Sequence, residues 1–474
     1  MDGDEAVGMS YGSGADADRV RVASGSAAAM TDATPFLPGL SPVAGKPFTT
    51  SRDAGNLSSN GGLVVLREIA DRLGIAAMIA APLPDRRNPA LVTHSYAEMT
   101  TARMMAICAG YEDGDDLDAL RHDPALKIAC GRAPEDGLPI PSQPTISRLE
   151  NGADTRALYK IGIGFIDLFC RGYPVPPHAI TLDIDETADL VHGQQELALF
   201  NTHNGGYSFQ PIHIVEANSG KMLVSLMRPG KRPSGAEIAR ILWHVIHRIR
   251  RHWPDVRILV RGDGHYGVPE VLNLLHRLRC DYILGLPTNT RLDAMAAPWR
   301  MQCENRRKPS RSKVRRFHQF KYAAESWKVE EKVIARAEAT EMGSDVRFVV
   351  TNLQGRGKIL YEKVYCARGN MENFIKDLKR YTRSDKTSCS RWQANQFRLF
   401  LHMGAHWLLH ALRLAAPRKS RWRTATFETI RAAFVKIAVR VEELRTRVKL
   451  SFPVHLPAAD VLSDITARIT ARGS

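Results

Sequence analysis

The chain is predicted to be a mixed α/β protein: an α/β core, interrupted by a β-rich insertion and flanked on both sides by helical regions. Three observations predict this. Strand-like runs begin after residue 178, where Ala179-Ile-Thr-Leu-Asp183-Ile-Asp185 alternates and ends in acids, and two more runs follow before residue 228. Strand and helix patterns then alternate up to about residue 287. Apolar residues at helical spacing dominate about 60–175 and recur from Phe397 to Leu414.

In chain order, residues 1–47 are rich in Ala, Gly, Ser and Asp with little periodicity, which predicts a largely disordered arm. Residues 48–177 form a helical region, with Leu63 to Ile75 and Tyr96 to Tyr111 at helical spacing. Within it, Ser142-Gln-Pro-Thr145-Ile-Ser147-Arg148-Leu-Glu150-Asn151 is a polar turn opening a short helix. That pattern suits a helix-turn-helix reader of DNA and equally an ordinary N-cap. Residues 178–287 hold the first part of the core. Its strands are Ala179–Asp185, Tyr207–Glu216 and Met222–Met227, then Val256–Val260 and Tyr282–Leu286. Ser234-Gly-Ala-Glu237 is a capping box that starts a helix running to about Trp253, and another helix begins near Pro269. Three strands, a helix, a strand, a helix and a strand is the order of an RNase-H-like domain.

Residues 288–355 interrupt that order. Arg300 to Lys321 carries Arg306, Arg307, Lys308, Arg311, Lys313, Arg315 and Arg316, and strand-like runs follow at Trp327–Arg336 and Val346–Thr351. This predicts a β-rich insertion with a basic loop. Residues 356–390 return to the core, and 391–474 form a helical C-terminal region.

Charge narrows the partners. Lys and Arg number 66 against 50 Asp and Glu, a net charge of +16, which points to a polyanion. No run of 18 uncharged apolar residues exists and the start is acidic, so neither a membrane span nor a signal peptide is expected. Seven scattered cysteines without a C-x2-C pair exclude a disulfide framework and a structural zinc site, and suit a reducing cytoplasm.

The most informative stretch is Tyr365-Cys-Ala-Arg368-Gly-Asn-Met-Glu372, continuing to Lys379. It reads Y-x2-R-x3-E-x6-K. At about 100° per residue, all four side chains fall within roughly 60° on one helix face. A carboxylate between cations and a phenol can hold a metal ion beside phosphate oxygens. The bland reading is a solvated face with an Arg368–Glu372 pair. Upstream lie two more candidate acids. Asp183 and Asp185 share one face of their strand. Asp263, in Gly262-Asp263-Gly264, stands at the carboxyl end of a buried strand, where α/β sheets bind ligands; a turn aspartate is the alternative.

These residues resemble the signature of DDE transposases of bacterial insertion sequences, with an RNase-H-like catalytic domain, and most closely the group built around insertion sequence thirteen-eighty. The resemblance covers roughly 140–410 and is strongest at 181–211, 260–267 and 347–380. It implies Asp185, Asp263 and Glu372 as catalytic, metal-holding acids, with Asp185 favoured over the reserve Asp183 because Thr187 follows two residues later. It implies Mg²⁺, with Mn²⁺ as substitute, in the two-ion arrangement that phosphodiester chemistry uses, the ions about 3.5–4 Å apart. Asp185 would bridge them. The long interval between Asp263 and Glu372 is filled by the insertion, as in that group.

The resemblance further implies that Tyr365, Arg368 and Lys379 hold phosphates of a transposon end. Arg306, Arg307, Lys308, Arg311, Arg315 and Arg316 would lie against DNA, and Trp327 or Trp299 would stack on an extruded base unless each is a core residue. The expected activity is cut-and-paste transposition in the cytoplasm, at the nucleoid. Its partners would be double-stranded DNA, as terminal inverted repeats and target, and a second copy on paired ends. The rivals are a nuclease or resolvase that cleaves without joining, and an inactive domesticated copy acting as a DNA-binding repressor. His402, His406 and His410 have ligand-like i, i+4, i+8 spacing, but their apolar surroundings favour a packed or DNA-facing ridge. Arg228 to Gly235 lacks the spacing of a Walker loop, so ATP is not implied.

Overall fold

The computed structural model describes residues 37, 39–310 and 312–471. Most of the predicted arm, and Arg311, lie outside the described residues. The described residues divide into two units, the boundary falling between Gly55 and Asn56. In the first, Val43 and Lys46 close a tight turn by exchanging backbone hydrogen bonds of 3.1 and 3.0 Å.

The second unit opens with a short strand β1 (Leu57–Ser58) and the helices α1 (Leu63–Leu73), α2 (Ile75–Ala80), α3 (Tyr96–Ala109), α4 (Asp116–Leu120), α5 (Pro124–Ala129), α6 (Gln143–Gly152) and α7 (Thr155–Arg171). Ser95 and Asp154 cap α3 and α7 through their side chains, each accepting the backbone N–H three residues on. Ser142 at the start of α6 does not cap in that way. Ile146 and Leu149 of α6 are buried, and its Glu150 pairs with the fully buried Arg103 at 3.0 Å.

The strands β2 (Ala179–Glu186), β3 (Asp189–Leu190), β4 (Leu199–Asn201), β5 (Gly206–Phe209), β6 (Ile212–Glu216) and β7 (Lys221–Leu226) follow. Then come α8 (Gly235–His252), β8 (Arg257–Gly262), α9 (Pro269–Arg277) and β9 (Asp281–Leu286). Next are α10 (Thr290–Ser310), β10 (Val314–Tyr322), β11 (Glu331–Thr340) and β12 (Gly343–Thr351). One eight-stranded sheet results, in the order β10-β11-β12-β9-β8-β2-β6-β7. β2, β8 and β9 run parallel at its centre and the outer pairs are antiparallel.

Two expectations need correcting. The run Tyr207–Glu216 is not one strand. Pro211 has no N–H to give a ladder, and the chain changes sheets there: β5 pairs with β3 and β4, while β6 joins the large sheet. The described part of the basic segment 300–321 is mostly helix and strand rather than loop. Arg306, Arg307 and Lys308 lie on the last turns of α10, and Arg315 and Arg316 on β10. It is ordered because Ala296 and Cys303 of α10 are buried and the helix packs on β10, β11 and β12. The strands β10, β11 and β12 extend the central sheet through β12 and β9.

From residue 357 the backbone is helical but irregular: α11 (Gly357–Ile359), a π segment (Leu360–Tyr365), a 3-10 segment (Cys366–Gly369), α12 (Asn370–Lys376) and a second π segment (Asp377–Tyr381). Then α13 (Trp392–Ala415), α14 (Phe427–Phe434), the hairpin β13 (Val439–Leu444) and β14 (Arg447–Ser451), and α15 (Ala459–Ala471) complete the chain. α13 is buried on nearly every face. It touches α1, α3, α6 and α7 on one side and β7 on the other, where Trp407 donates its indole N–H to Met222 at 2.8 Å. One hydrophobic core therefore runs from Leu63 to Ile469 through the sheet. His402, His406 and His410 lie inside it.

Candidate active site

Asp183 and Asp185 project from the same face of β2, but they meet different neighbours. The parallel register sets Asp183 beside Arg261 of β8. Arg261 grips both carboxylate oxygens, at 2.6 and 2.8 Å, and donates a third bond to the Val364 carbonyl at 2.9 Å. The pair is almost fully buried. Asp183 is thereby committed to a structural ion pair with the geometry in which guanidinium and carboxylate bind most strongly.

One rung further along, Asp185 faces the turn after β8, which carries Asp263. Burial first, and then the Asp263 charge, push the Asp185 carboxyl up to about 6. Its nearest cation is Arg368, whose guanidinium stands 3.5 Å away. Asp263 accepts the His265 backbone N–H at 2.9 Å, which shapes its turn. Beside the two aspartates, the Glu186 side chain is largely covered, with Oε1 2.7 Å from His265 Nδ1 and 3.0 Å from the Gln210 amide, while Oε2 has no partner. The Glu186 carboxylate holds the His265 imidazole above its ordinary range.

The turn can lie this close to the sheet because of Gly285 on β9. A Cβ there would meet Gly264 N at 2.5 Å, the Asp263 carbonyl carbon at 2.6 Å and the Tyr365 hydroxyl at 2.9 Å. The space a side chain would take is filled by the acid-bearing turn and by Tyr365.

The four residues of the Y-x2-R-x3-E-x6-K pattern do not share one regular helical face. The 3-10 turn at Cys366–Gly369 eclipses residues three apart, which brings Arg368 over the Tyr365 ring, 5.6 Å from its centre. Arg368 and Tyr365 therefore stand at the aspartate pair. Glu372 lies on α12, which packs on β2 and β6, and its side chain is exposed. Among the described residues, no three His, Cys, Asp or Glu side chains gather closely enough to hold a metal ion. Lys379 is turned elsewhere by the second π segment. It forms a 2.9 Å ion pair with the buried Asp189 and donates to the Ala188 carbonyl at 2.6 Å. The expectation that it meets phosphate therefore has a competitor.

The remaining expected DNA contacts lie on the insertion. Arg306 and Lys308 are exposed on α10 and Arg307 is half-buried. Arg315 is paired with Glu338 at 2.6 Å, and Glu362 lies 3.6 Å away; Arg316 is exposed. Trp327 packs edge-on against Tyr322 at 5.5 Å, half-buried, and Trp299 stacks on His318 at 4.5 Å. Neither ring lies open. Sequence reasoning missed Arg261, Glu186, His265 and Asp189. Glu186 adjoins the acids in Asp183-Ile-Asp185-Glu186 and His265 adjoins Asp263, so proximity could have flagged both. Arg261 and Asp189 are known only through register and packing.

The Asp185–Asp263 pair supplies hard oxygen donors whose like charges are incompletely compensated, an arrangement suited to a divalent cation.

Residues 40–474 match the family model described as transposase DDE domain group 1. No curated protein matches. Among solved structures, the chain resembles the piggyBac transposase in a synaptic complex with hairpin DNA, seen by cryo-electron microscopy. The TM-score is 0.39 with 12% identity, over 79% of this chain and 80% of that one. That score is too low to assign a fold or a mechanism.

Proposed function

The chain belongs to the transposase DDE domain group 1 family, and from that premise we propose that it is a cut-and-paste transposase of a bacterial insertion sequence, built on an RNase-H-like core. It binds the terminal inverted repeats of its element as a dimer, cleaves their ends and joins the 3′ ends to target DNA. The observation that carries this reading is the Asp185–Asp263 pair at neighbouring strand ends with Arg368 beside it.

Asp185 and Asp263 would hold the divalent metal, Mg²⁺ or Mn²⁺; Glu372, proposed as the third acid, is exposed on α12 and would have to turn toward the pair to join it. When bound, the metal activates the attacking oxygen and stabilises the departing one. Asp183 takes no part, because Arg261 occupies both of its oxygens. Arg368 places a guanidinium where a scissile phosphate would lie, and so both offsets the acids and orients the phosphate. Tyr365, wedged against Gly285, holds Arg368 in position and offers a hydroxyl at the same place. Glu186 and His265 fix the Asp263 turn from the other side.

The test is cleavage of DNA carrying the gene's own flanks, with Mg²⁺ or Mn²⁺, by wild type and Glu372→Ala. Metal-dependent cuts at the element boundary, absent in the variant, and strand-transfer products with intact target DNA are expected. Cuts without joining would make the protein a nuclease. Tight binding without cuts would make it a repressor.

A further inference from the structure

β3, β4 and β5 form a small sheet that grows directly out of the carboxyl end of β2, the end that carries Asp185. The chain enters it between Glu186 and Asp189 and leaves it between Phe209 and Ile212. Phe200 and Tyr207 are cross-strand partners in it, so they share a face. Their rings meet edge to face at 5.7 Å and are 59% and 57% exposed. The buried end of the ladder is Phe209, and the outer rings are left open.

The segment Arg228–Arg232 ties this sheet to the acids. Asn201 donates to the Gly230 carbonyl at 3.1 Å, and Gly230 lies so close that a Cβ would meet the Ser208 and Leu199 carbonyls at 2.2 and 2.8 Å. Lys231 and Arg232, which follow, are exposed. Arg228 donates to the Lys231 and Gln210 carbonyls at 3.3 and 3.4 Å, and the Gln210 amide donates to Glu186, beside Asp185, at 3.0 Å. Carboxylates, cations and open rings are thus contiguous. Val191, whose N–H meets the Tyr207 carbonyl at 2.9 Å, is six residues from Asp185, so the backbone that carries Tyr207 lies within about 25 Å of the Asp185 backbone.

We infer that Phe200 and Tyr207 form a stacking platform for unpaired bases of the DNA strand that enters the active site, with Lys231 and Arg232 holding its phosphates. This deepens the proposed function and rests on it. An open ring offers a base a π-face that a paired, stacked duplex cannot reach, and such stacking is tolerant of sequence. The adjoining cations favour a nucleic acid over an apolar protein partner.

The experiment uses the full chain in EDTA, with a labelled 20-nucleotide oligothymidylate and a blunt duplex, read by fluorescence anisotropy across a salt series. Phe200→Ala and Tyr207→Ala should each weaken single-strand binding about tenfold, with duplex binding and the salt slope unchanged, and Tyr207→Phe should restore it. Lys231→Ala and Arg232→Ala should weaken both ligands and flatten the slope. A 5-iodouracil oligonucleotide should photocrosslink wild-type protein at the peptides holding Phe200 or Tyr207, a readout that needs no variant to fold. Unchanged single-strand affinity in the ring variants, or crosslinks only elsewhere, would overturn the inference. So would loss of self-association in sedimentation with single-strand binding intact, which would assign the face to a second copy. Because binding is read without metal, a protein that cuts but shows no ring-dependent binding fails here alone; one that binds through the rings but never cuts fails as a transposase.

Discussion

Two carboxylates two residues apart on β2, Asp183 beside Arg261 of β8 and Asp185 beside Asp263 of the turn after β8, have opposite physical surroundings. At the first, a carboxylate is matched by a bidentate guanidinium and sealed from solvent. At the second, a carboxylate faces another carboxylate, with one guanidinium at 3.5 Å as partial compensation. The first arrangement is complete and has nothing to offer a ligand. The second is incomplete, and the missing positive charge is the property a cation-dependent site requires. What stands beside each aspartate, Arg261 on β8 or Asp263 on the turn after it, decides which carboxylate is neutralised.

The largest effect should come from the incomplete arrangement. Asp263→Asn is expected to lower cleavage at transposon ends on the order of 10³-fold or more, as when one member of a unit that acts together is removed. Its melting temperature in EDTA should be unchanged or higher, since one of two like charges is gone. A variant that still cuts at wild-type rate would break the comparison.

The complete arrangement should respond in the opposite way. Asp183→Asn leaves Arg261 buried without its counter-charge and should cost about 3 kcal/mol in denaturant unfolding. Replacing both partners by apolar residues of similar volume should recover most of that loss. If Asp183→Asn instead left stability intact and abolished cleavage, Asp183 and not Asp185 would be the catalytic acid.

A third variant reaches the incomplete arrangement through its support. Gly285→Ala should push the Asp263 turn and Tyr365 outward, because its Cβ has no room, and lower cleavage on the order of 10²-fold, as small displacements of reacting groups do. Equal activity would mean that the turn's placement does not matter.

A last test concerns the buried histidines of α13: the ring nitrogens of His402 and His406 have no hydrogen-bond partner, while His410 bonds the Ser219 carbonyl and Arg413. Burial lowers His406 well below its ordinary range and His410 to about 3. In the unfolded chain they titrate near about 6.5. The unfolded state therefore binds more protons between these values, and stability falls as pH drops from about 6.5 toward about 3. The slope is up to about 1.4 kcal/mol per pH unit for each histidine. His406→Leu should flatten the decline in thermal unfolding; an unchanged slope would show that other groups dominate it.

Much of this was legible in the sequence. The central α/β order, the capping of α8 by Ser234, the start of α9 at Pro269 and the strand-end positions of Asp185 and Asp263 follow from periodicity, caps and turns, which act over a few residues. The Y-x2-R-x3-E-x6-K spacing pointed to Arg368 and Tyr365, and both stand at the aspartate pair. What failed depended on partners distant in the chain. An ideal helix does not foresee the 3-10 and π segments that bring Arg368 over Tyr365 and turn Lys379 to Asp189. The basic run 300–321 looked like a loop because its charges hide the few buried positions that dock α10.

The sequence by itself therefore determined which residues carry the charge, where strands and helices run and where acids end them, because those preferences are local. Only the tertiary structure decided that Asp183 is spent on Arg261, that β10, β11 and β12 extend the sheet and that α13 lies at the centre of one core. Strand register and packing join residues far apart in the chain, and a carboxylate's role depends on the charge that register sets beside it.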